Sequence, residues 1–347
     1  MHQDWQAFLE SQGGHIGDDG AARFDNAPAE PDCGLVDLSH LGLITVGGPE
    51  ASDFLQGQLS NDLRELTEIR TQLNSHCSPK GRMLANFRVL RFADSLFLLL
   101  PRVQMETLLK RLRMFLLRTK ATIDDASDAL VCFGLIGDCA DDSLKHAFGT
   151  LPSEPNAMVR AGDTALIRVA DPSPRYLLIG PADSARAAWE AARAAGAEPA
   201  NPDLWALLDI RAGLPTVLPE TSDSFVPQMA NMQLIDGVSF HKGCYTGQEV
   251  VARMQYLGKL KRRMYLARTR LDADAEPPAP GTVLSSADSS SEQAPGRVVD
   301  ARRGASGDCE MLVVAEIKAA EDGELRLGDN GPILSISPPP YGFPAHA

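Results

Sequence analysis

A chain of 347 residues with a formal net charge of −13 is long for one compact core and too acidic for direct nucleic-acid binding to be expected. Its apolar and charged fractions are ordinary for a soluble globular protein, and its most apolar run, Ser95 to Leu100, is strand-sized, so no membrane association is expected. The first residues carry Asp4 and Glu10, no Arg before Arg23 and no apolar h-region, unlike a secretory signal or a transit peptide, and the expected compartment is the cytoplasm.

Residues 1–32 read as a flexible lead-in, because positions 11 to 32 are rich in Gly, Asp, Ala and Pro. Leu41 to Gly47 reads as a strand, followed by a short helix through Phe54, Leu55 and Leu59 with Ser52 near its cap. Asn86 to Phe92 and Ser95 to Leu100 are two apolar runs split by Ala93-Asp94, a hairpin signal. From Gln104 to Arg118 the residues Met105, Leu108, Leu109, Leu112, Phe115 and Leu116 fall on one helical face, opposite Lys110, Arg111 and Arg113. Strands are expected at Val131 to Ile136, Ala165 to Val169 and Tyr176 to Ile179. Helices are expected at Ser184 to Ala195 and from Pro202 to a stop at Gly213.

After about residue 265 helix signals vanish. Short β-like runs at 282–284, 297–299, 311–317 and 333–336 alternate with Gly, Pro and Ser, which suggests a small C-terminal barrel or sandwich, with Ser285 to Pro295 as an exposed loop tip. The class is α+β.

Six cysteines occur, at 33, 77, 132, 139, 244 and 309, and none forms a C-x-x-C pair, so most read as buried or inert thiols rather than a metal site or a disulfide framework. No metal site is expected.

Between His241 and Arg263 six cations (Lys242, Arg253, Lys259, Lys261, Arg262 and Arg263) face a single acid, Glu249. A basic island in an acidic chain suggests either an anionic ligand or a solvated face that balances acids elsewhere. Its first part, Phe240-His-Lys-Gly-Cys-Tyr-Thr-Gly-Gln-Glu249, brackets Cys244 with Gly243 and Gly247, residues that favour an irregular turn. Lys242, two positions before the thiol, would favour thiolate if it made contact. Gln248 and Glu249 offer the donors and acceptors a heteroaromatic ring needs. From the residues alone, Cys244 is either a working thiol or a structural cysteine of the turn.

Lys242 to Glu249, with Val250-Val-Ala-Arg253, Gly258 and Lys261-Arg262, resembles the signature of the YgfZ family. Phe54-Leu-Gln-Gly-Gln-Leu-Ser-Asn-Asp62, Pro79-Lys-Gly-Arg-Met83, Ala212-Gly-Leu-Pro215 and Phe225-Val-Pro-Gln228 resemble its other motifs, and the likeness covers roughly residues 35 to 340. The resemblance implies a fold like the glycine cleavage system T-protein: intertwined N-terminal α+β sub-domains over 33–245 and a C-terminal β-barrel over 246–347, around a central folate pocket.

It also implies a tetrahydrofolate cofactor and an accessory role in assembling or repairing iron–sulfur enzymes, radical tRNA-modifying enzymes among them, with those enzymes or assembly proteins as partners. Cys244 would be the functional thiol. Trp205, Arg211, Gln228, Lys242, Gln248, Glu249 and Arg253 would line the folate site. Gln58, Asn61 and Asp62 would either line it or pack the adjoining helix. For Trp205 the alternative is core packing among Leu204, Leu207 and Leu208.

An aminomethyltransferase is the competing reading. Where the T-protein places its catalytic Asp after a K-G-G turn, this chain runs Lys80-Gly-Arg-Met-Leu-Ala-Asn86 without an acid, and Arg211 stands where a pocket Glu is expected. Both departures argue against that activity.

Overall fold

The computed structural model describes residues 1–92, 94–170, 173–286 and 294–343. The chain forms two interleaved compact units. The first holds Met1–Phe54, Arg64–Gln72 and Arg88–Trp205; the second holds Leu55–Leu63, Leu73–Phe87 and Ala206–Ala347. The main division therefore falls after Trp205, whereas the sequence suggested one near 245. No helix among the described residues is long and apolar enough to cross a membrane.

The first unit is built on a six-stranded sheet in the order Met158–Ala161, Thr164–Arg168, Arg175–Gly180, Val131–Ile136, Gly34–Asp37 and Glu198–Ala200. All its pairings are antiparallel except that of Glu198–Ala200 with Gly34–Asp37. The lead-in expected to be flexible belongs to this unit's core. Gln3–Ser11 is a helix, and His15–Ile16 pairs with Ala22–Arg23. Trp5, Phe8 and Leu9 recur at i, i+3 and i+4, so one helical face is apolar and buries. The Trp5 ring lies 5.8 Å from Phe133 and 5.6 Å from Trp189.

Asp37 fixes this arrangement. Its carboxylate accepts from Trp5 Nε1 at 2.9 Å, from the Ala22 amide at 2.8 Å and from the Ser39 hydroxyl at 2.8 Å. Burial pushes its carboxyl above the ordinary range, and the three donors pull the other way. Gly- and Pro-rich composition misled here because three apolar anchors decide the packing of the segment.

Cys33 and Cys139 are joined by a disulfide, with Cα atoms 6.1 Å apart, which corrects their reading as inert thiols. A separation of 106 residues carries no spacing signal.

A five-stranded sheet follows the order Gln72–Cys77, Met83–Phe92, Ser95–Pro101, Leu41–Gly47 and Thr122–Asp125. The chain passes from the second unit to the first within Met83–Phe92. The expected hairpin is present, although Ala93 lies outside the described residues. The helix Arg102–Leu116 buries Met105, Leu108, Leu109 and Leu112 as its period requires, whereas Phe115 is 41% exposed. Ser52 lies inside the helix Ala51–Gln56 and does not cap it.

The second unit carries a six-stranded antiparallel sheet in the order Arg326–Leu327, Val283–Ser285, Gly296–Arg303, Asp308–Glu316, Arg262–Arg270 and Ser335–Ser337. Its register shifts between Val298 and Asp300. One face packs Tyr265, Val298, Met311 and Val313. The other packs Met264, Val299, Leu312 and Val314 with Met83, Ile210 and Phe225. Two helices lie where none was expected, Gln248–Tyr256 and Ile317–Glu321. The middle of the expected loop at 285–295, residues 287–293, lies outside the described residues.

Candidate functional site

Three sequence motifs far apart in the chain meet within the second unit. Each meeting has a local physical cause.

The turn Pro79-Lys80-Gly81-Arg82 joins two strands, with the Ser78 amide bonded to the Arg82 carbonyl and the Gly81 amide to the Ser78 carbonyl. Gly81 and Gly247 both have positive φ, 70° and 84°, and they sit back to back. A Cβ on Gly81 would lie 2.8 Å from Val250 Cβ, and one on Gly247 would strike the Ser78 carbonyl. Only glycine fits either place. Gly243, by contrast, has open space around it. Of the two glycines flanking Cys244, therefore, only Gly247 is demanded by the fold. It stands at the N-cap of the helix Gln248–Tyr256, so the stretch around Cys244 is irregular, as expected, and the signature turns helical only from Gln248.

Lys242 makes the second junction. Its side chain is buried, and Nζ donates to the carbonyls of Gln56 at 2.8 Å, Leu59 at 2.6 Å and Asn61 at 2.8 Å. An ammonium has three protons, and all three are used. The expectation that Lys242 would meet an anionic ligand or help the Cys244 thiolate is corrected by this placement: it has no hydrogen bond left to give, and its charge is held by backbone oxygens at the end of the helix Ala51–Gln56. The aromatic ring of Tyr245 lies 5.0 Å from Nζ.

The loop that Lys242 clamps runs against the strand Gln72–Cys77. Leu59 bridges His76, the Ser60 amide donates to the Ser75 carbonyl, and the Asn61 amide donates to Asn74 Oδ1 at 2.8 Å. Asn61 Nδ2 donates to the carbonyls of Leu73 and Asp236, and its Oδ1 accepts from the Asp62 amide. Gln56 Nε2 donates to Asp62 Oδ1 at 2.9 Å. Asn61 and Asp62 are thus committed to holding the loop.

Ser60, Asn74, Ser75 and His76 are all fully buried. Such a run of buried polar side chains is unusual for a strand. The sequence signal for it was Asn74-Ser-His between Leu73 and Cys77, which sequence reasoning passed over. Among the described residues, Gln58 Oε1, Asn74 Nδ2 and Gln228 Oε1 are buried without a hydrogen-bond partner.

The remaining site residues separate. Gln228 Nε2 donates to the Val251 carbonyl at 2.7 Å, anchoring the signature helix. Gln248 Nε2 lies 3.4 Å from the Lys242 carbonyl. Glu249 and Arg253 are exposed.

Arg211 donates from Nη2 to Glu310 Oε1 at 2.7 Å and from Nε to Oε2 at 3.1 Å, and Arg268 lies 3.3 Å from the same carboxylate. Arg211, at the end of the helix Pro202–Arg211, is therefore ion-paired to the sheet rather than an open cation. Trp205 is 5% exposed, with the Arg175 guanidinium 4.5 Å above its ring and Gly134 making room beneath it, which corrects the expectation of an open face for a ligand.

Burial by itself would raise the Glu310 carboxyl, but Arg211 and Arg268 outweigh it and hold the group below its ordinary value of 4.5. A depressed carboxyl stabilises the fold above its unfolded-state pKa, and that contribution is lost as pH falls through the folded-state value. Glu310→Gln should therefore be less stable than the parent at neutral pH, and the gap should close as the pH falls below 4.5 and through the lowered folded-state value in urea titrations. A gap that stays constant with pH would remove the charge pair from the account.

Four cysteines remain free. Cys77, Cys132 and Cys309 are buried, and burial pushes Cys77 up to about 12, Cys309 up to about 11 and Cys132 in the same direction. Cys244 alone is an exposed free thiol.

Residues 26–169 match the model of the GCVT N-terminal domain. The chain is 37% identical over 243 residues to the tRNA-modifying protein YgfZ of Colwellia psychrerythraea, covering 70% of this chain and 74% of that one. It is 34% identical over 310 residues to the protein of the same name from an Enterobacter species, covering 89% and 93%. Among solved structures, the glycine cleavage system aminomethyltransferase T from Bartonella henselae superposes with a TM-score of 0.73 over 96% of this chain and 95% of that one, at 18% identity. The mixed α+β fold is therefore that of the T-protein, and at this level of identity the likeness speaks for the fold alone. With 34% of aligned positions shared over nearly the whole length of both chains, this chain belongs to the YgfZ family.

Proposed function

We propose that this protein is a folate-binding accessory factor that supports the assembly or repair of iron–sulfur enzymes, including radical tRNA-modifying enzymes, and that Cys244 is its working thiol. The observation that carries this reading is the state of the cysteines: of the six, Cys244 alone is free and exposed, and it stands in the segment that resembles the family signature. A soft thiolate ligand or sulfur nucleophile has to be accessible to act. One thiol cannot hold a cluster as four can, so a transient ligand or persulfide carrier fits better than a resident cluster. The relatives' name, tRNA-modifying protein, supports a role in that pathway. The net charge of −13 favours action through the modifying enzymes over direct contact with RNA.

For folate, Gln58, Asn74 and Gln228 would hold a pterin through the amide atoms that have no partner within the chain. A bound tetrahydrofolate would supply one-carbon or redox chemistry. This chain's part would be to bind the ring and orient it.

Aminomethyl transfer is not favoured. At the position compared with the catalytic acid stands Asn86, whose amide is committed: Nδ2 donates to the Pro215 carbonyl at 2.7 Å and Oδ1 accepts from the Val217 amide at 2.7 Å.

Cys244→Ser should change stability by no more than about 0.5 kcal/mol, as expected at an exposed site. It should still bind tetrahydrofolate in a calorimetric titration, yet fail to restore iron–sulfur enzyme activity in a strain lacking the protein. Cys132→Ser, at a free thiol buried in the first unit, should restore it. Full complementation by Cys244→Ser would remove the thiol from the mechanism, and absence of any folate binding by the parent would remove the cofactor.

A further inference from the structure

A cleft of about 850 Å3 opens in the second unit, between the end of the signature helix and the six-stranded sheet. This volume lies within the range of small-molecule sites, about 300–1,000 Å3. Five cations line it, Arg82, Lys259, Lys261, Arg262 and Arg297, against two carboxylates, Asp223 and Glu316. Both carboxylates are already engaged: Glu316 Oε1 accepts from Arg262 at 3.0 Å, and Asp223 Oδ1 accepts from the Ser78 hydroxyl at 2.6 Å.

Arg82 and Arg297 are tied to backbone carbonyls, of Ser224 and Gly281 respectively, which leaves their charge uncancelled. Lys259 and Lys261 are exposed and have no acidic partner among the described residues. The cleft is thus strongly positive in a chain whose net charge is −13. Its lining also includes the apolar side chains of Phe225, Met229, Met254 and Val314.

We propose that this cleft is a second binding site, for a small organic polyanion that carries two or more phosphates or carboxylates on an apolar or aromatic body. Lysine ammonium groups recognise either anion as point charges, while the methionines and Phe225 accept the body. Concave walls of low dielectric concentrate the positive field and draw such ligands in. The assignment uses neither Gln58, Asn74 and Gln228 nor Cys244; its carboxylate arm, the tail of a folate, rests on the folate reading above, whereas its phosphate arm does not.

The basic island of the sequence separates accordingly. Lys242 and Arg263 are buried, Arg262 is paired with Glu316, and Lys259 and Lys261 are left for a ligand.

The test is isothermal titration of the full chain with two probes, ATP for the phosphate source and p-aminobenzoyl-tri-γ-glutamate for the carboxylate source. At least one is expected to bind in the micromolar range, and the tighter of the two identifies the source. The double variant Lys259→Ala/Lys261→Ala should weaken that binding about tenfold or more, with an unchanged melting temperature because both side chains are exposed. Raising the salt concentration should weaken the parent's binding as well. Binding of neither probe overturns the proposal, as does equal binding by parent and double variant. An RNA hairpin that binds more tightly than both probes with the same lysine dependence would overturn the small-ligand assignment.

Discussion

Lys242→Ala is expected to destabilise the second unit by about 3 kcal/mol or more. The reason is the three carbonyls of Gln56, Leu59 and Asn61, which would be left without their donor in a buried place. Each buried acceptor that loses its partner costs about 1–3 kcal/mol, partly recovered if water enters the space. Lys242→Met keeps the stem and removes the donors, so it should destabilise nearly as much. Lys242→Arg should be intermediate, because a flat guanidinium cannot aim at three converging oxygens as a tetrahedral ammonium does. Urea denaturation of the three variants measures this order. Parent-like stability of Lys242→Met, together with lost activity, would return Lys242 to the role of a ligand-binding cation.

The second large effect is expected at Trp205. Trp205→Ala should cost about 3–5 kcal/mol in the first unit, the range for emptying a buried aromatic site. The ring fills the space above Gly134, and Arg175 packs its guanidinium on the face. Arg175 is itself fully buried and donates to the Trp205 and Ala170 carbonyls, so losing the ring disturbs a charged group as well as a cavity. Trp205→Phe should lose less, since it keeps much of the apolar area. Chemical denaturation and folate titration on the same samples separate the possibilities. Unchanged stability with lost folate affinity would restore Trp205 to a ligand-facing role.

Much of the fold was legible where one signal acted locally. The periods of Leu41–Gly47, Val131–Ile136 and Arg102–Leu116 gave strands and a helix within a few residues of their observed limits. Local signals failed where a segment's partner lies far away in the chain. The N-terminal segment looked irregular because its composition is; Phe133, Trp189 and Asp37 make it part of a core. The Cys33–Cys139 link is invisible for the same reason.

The site divides in the same way. The sequence by itself determined the family motifs, the acidic charge with its basic island, and Cys244 as the cysteine set apart from the others. The tertiary structure alone decided which of those charges are available. Lys242 looked like the cation nearest the thiol, yet its three donors are turned onto backbone carbonyls drawn from a motif some 180 residues earlier. Arg211 looked open and is held by Glu310. Lys259 and Lys261 looked like a solvated run and line a cleft. Sequence records which groups are present, but burial and distance set what a charged group does, because one hydrogen-bonded partner or one layer of desolvation outweighs its neighbours along the chain.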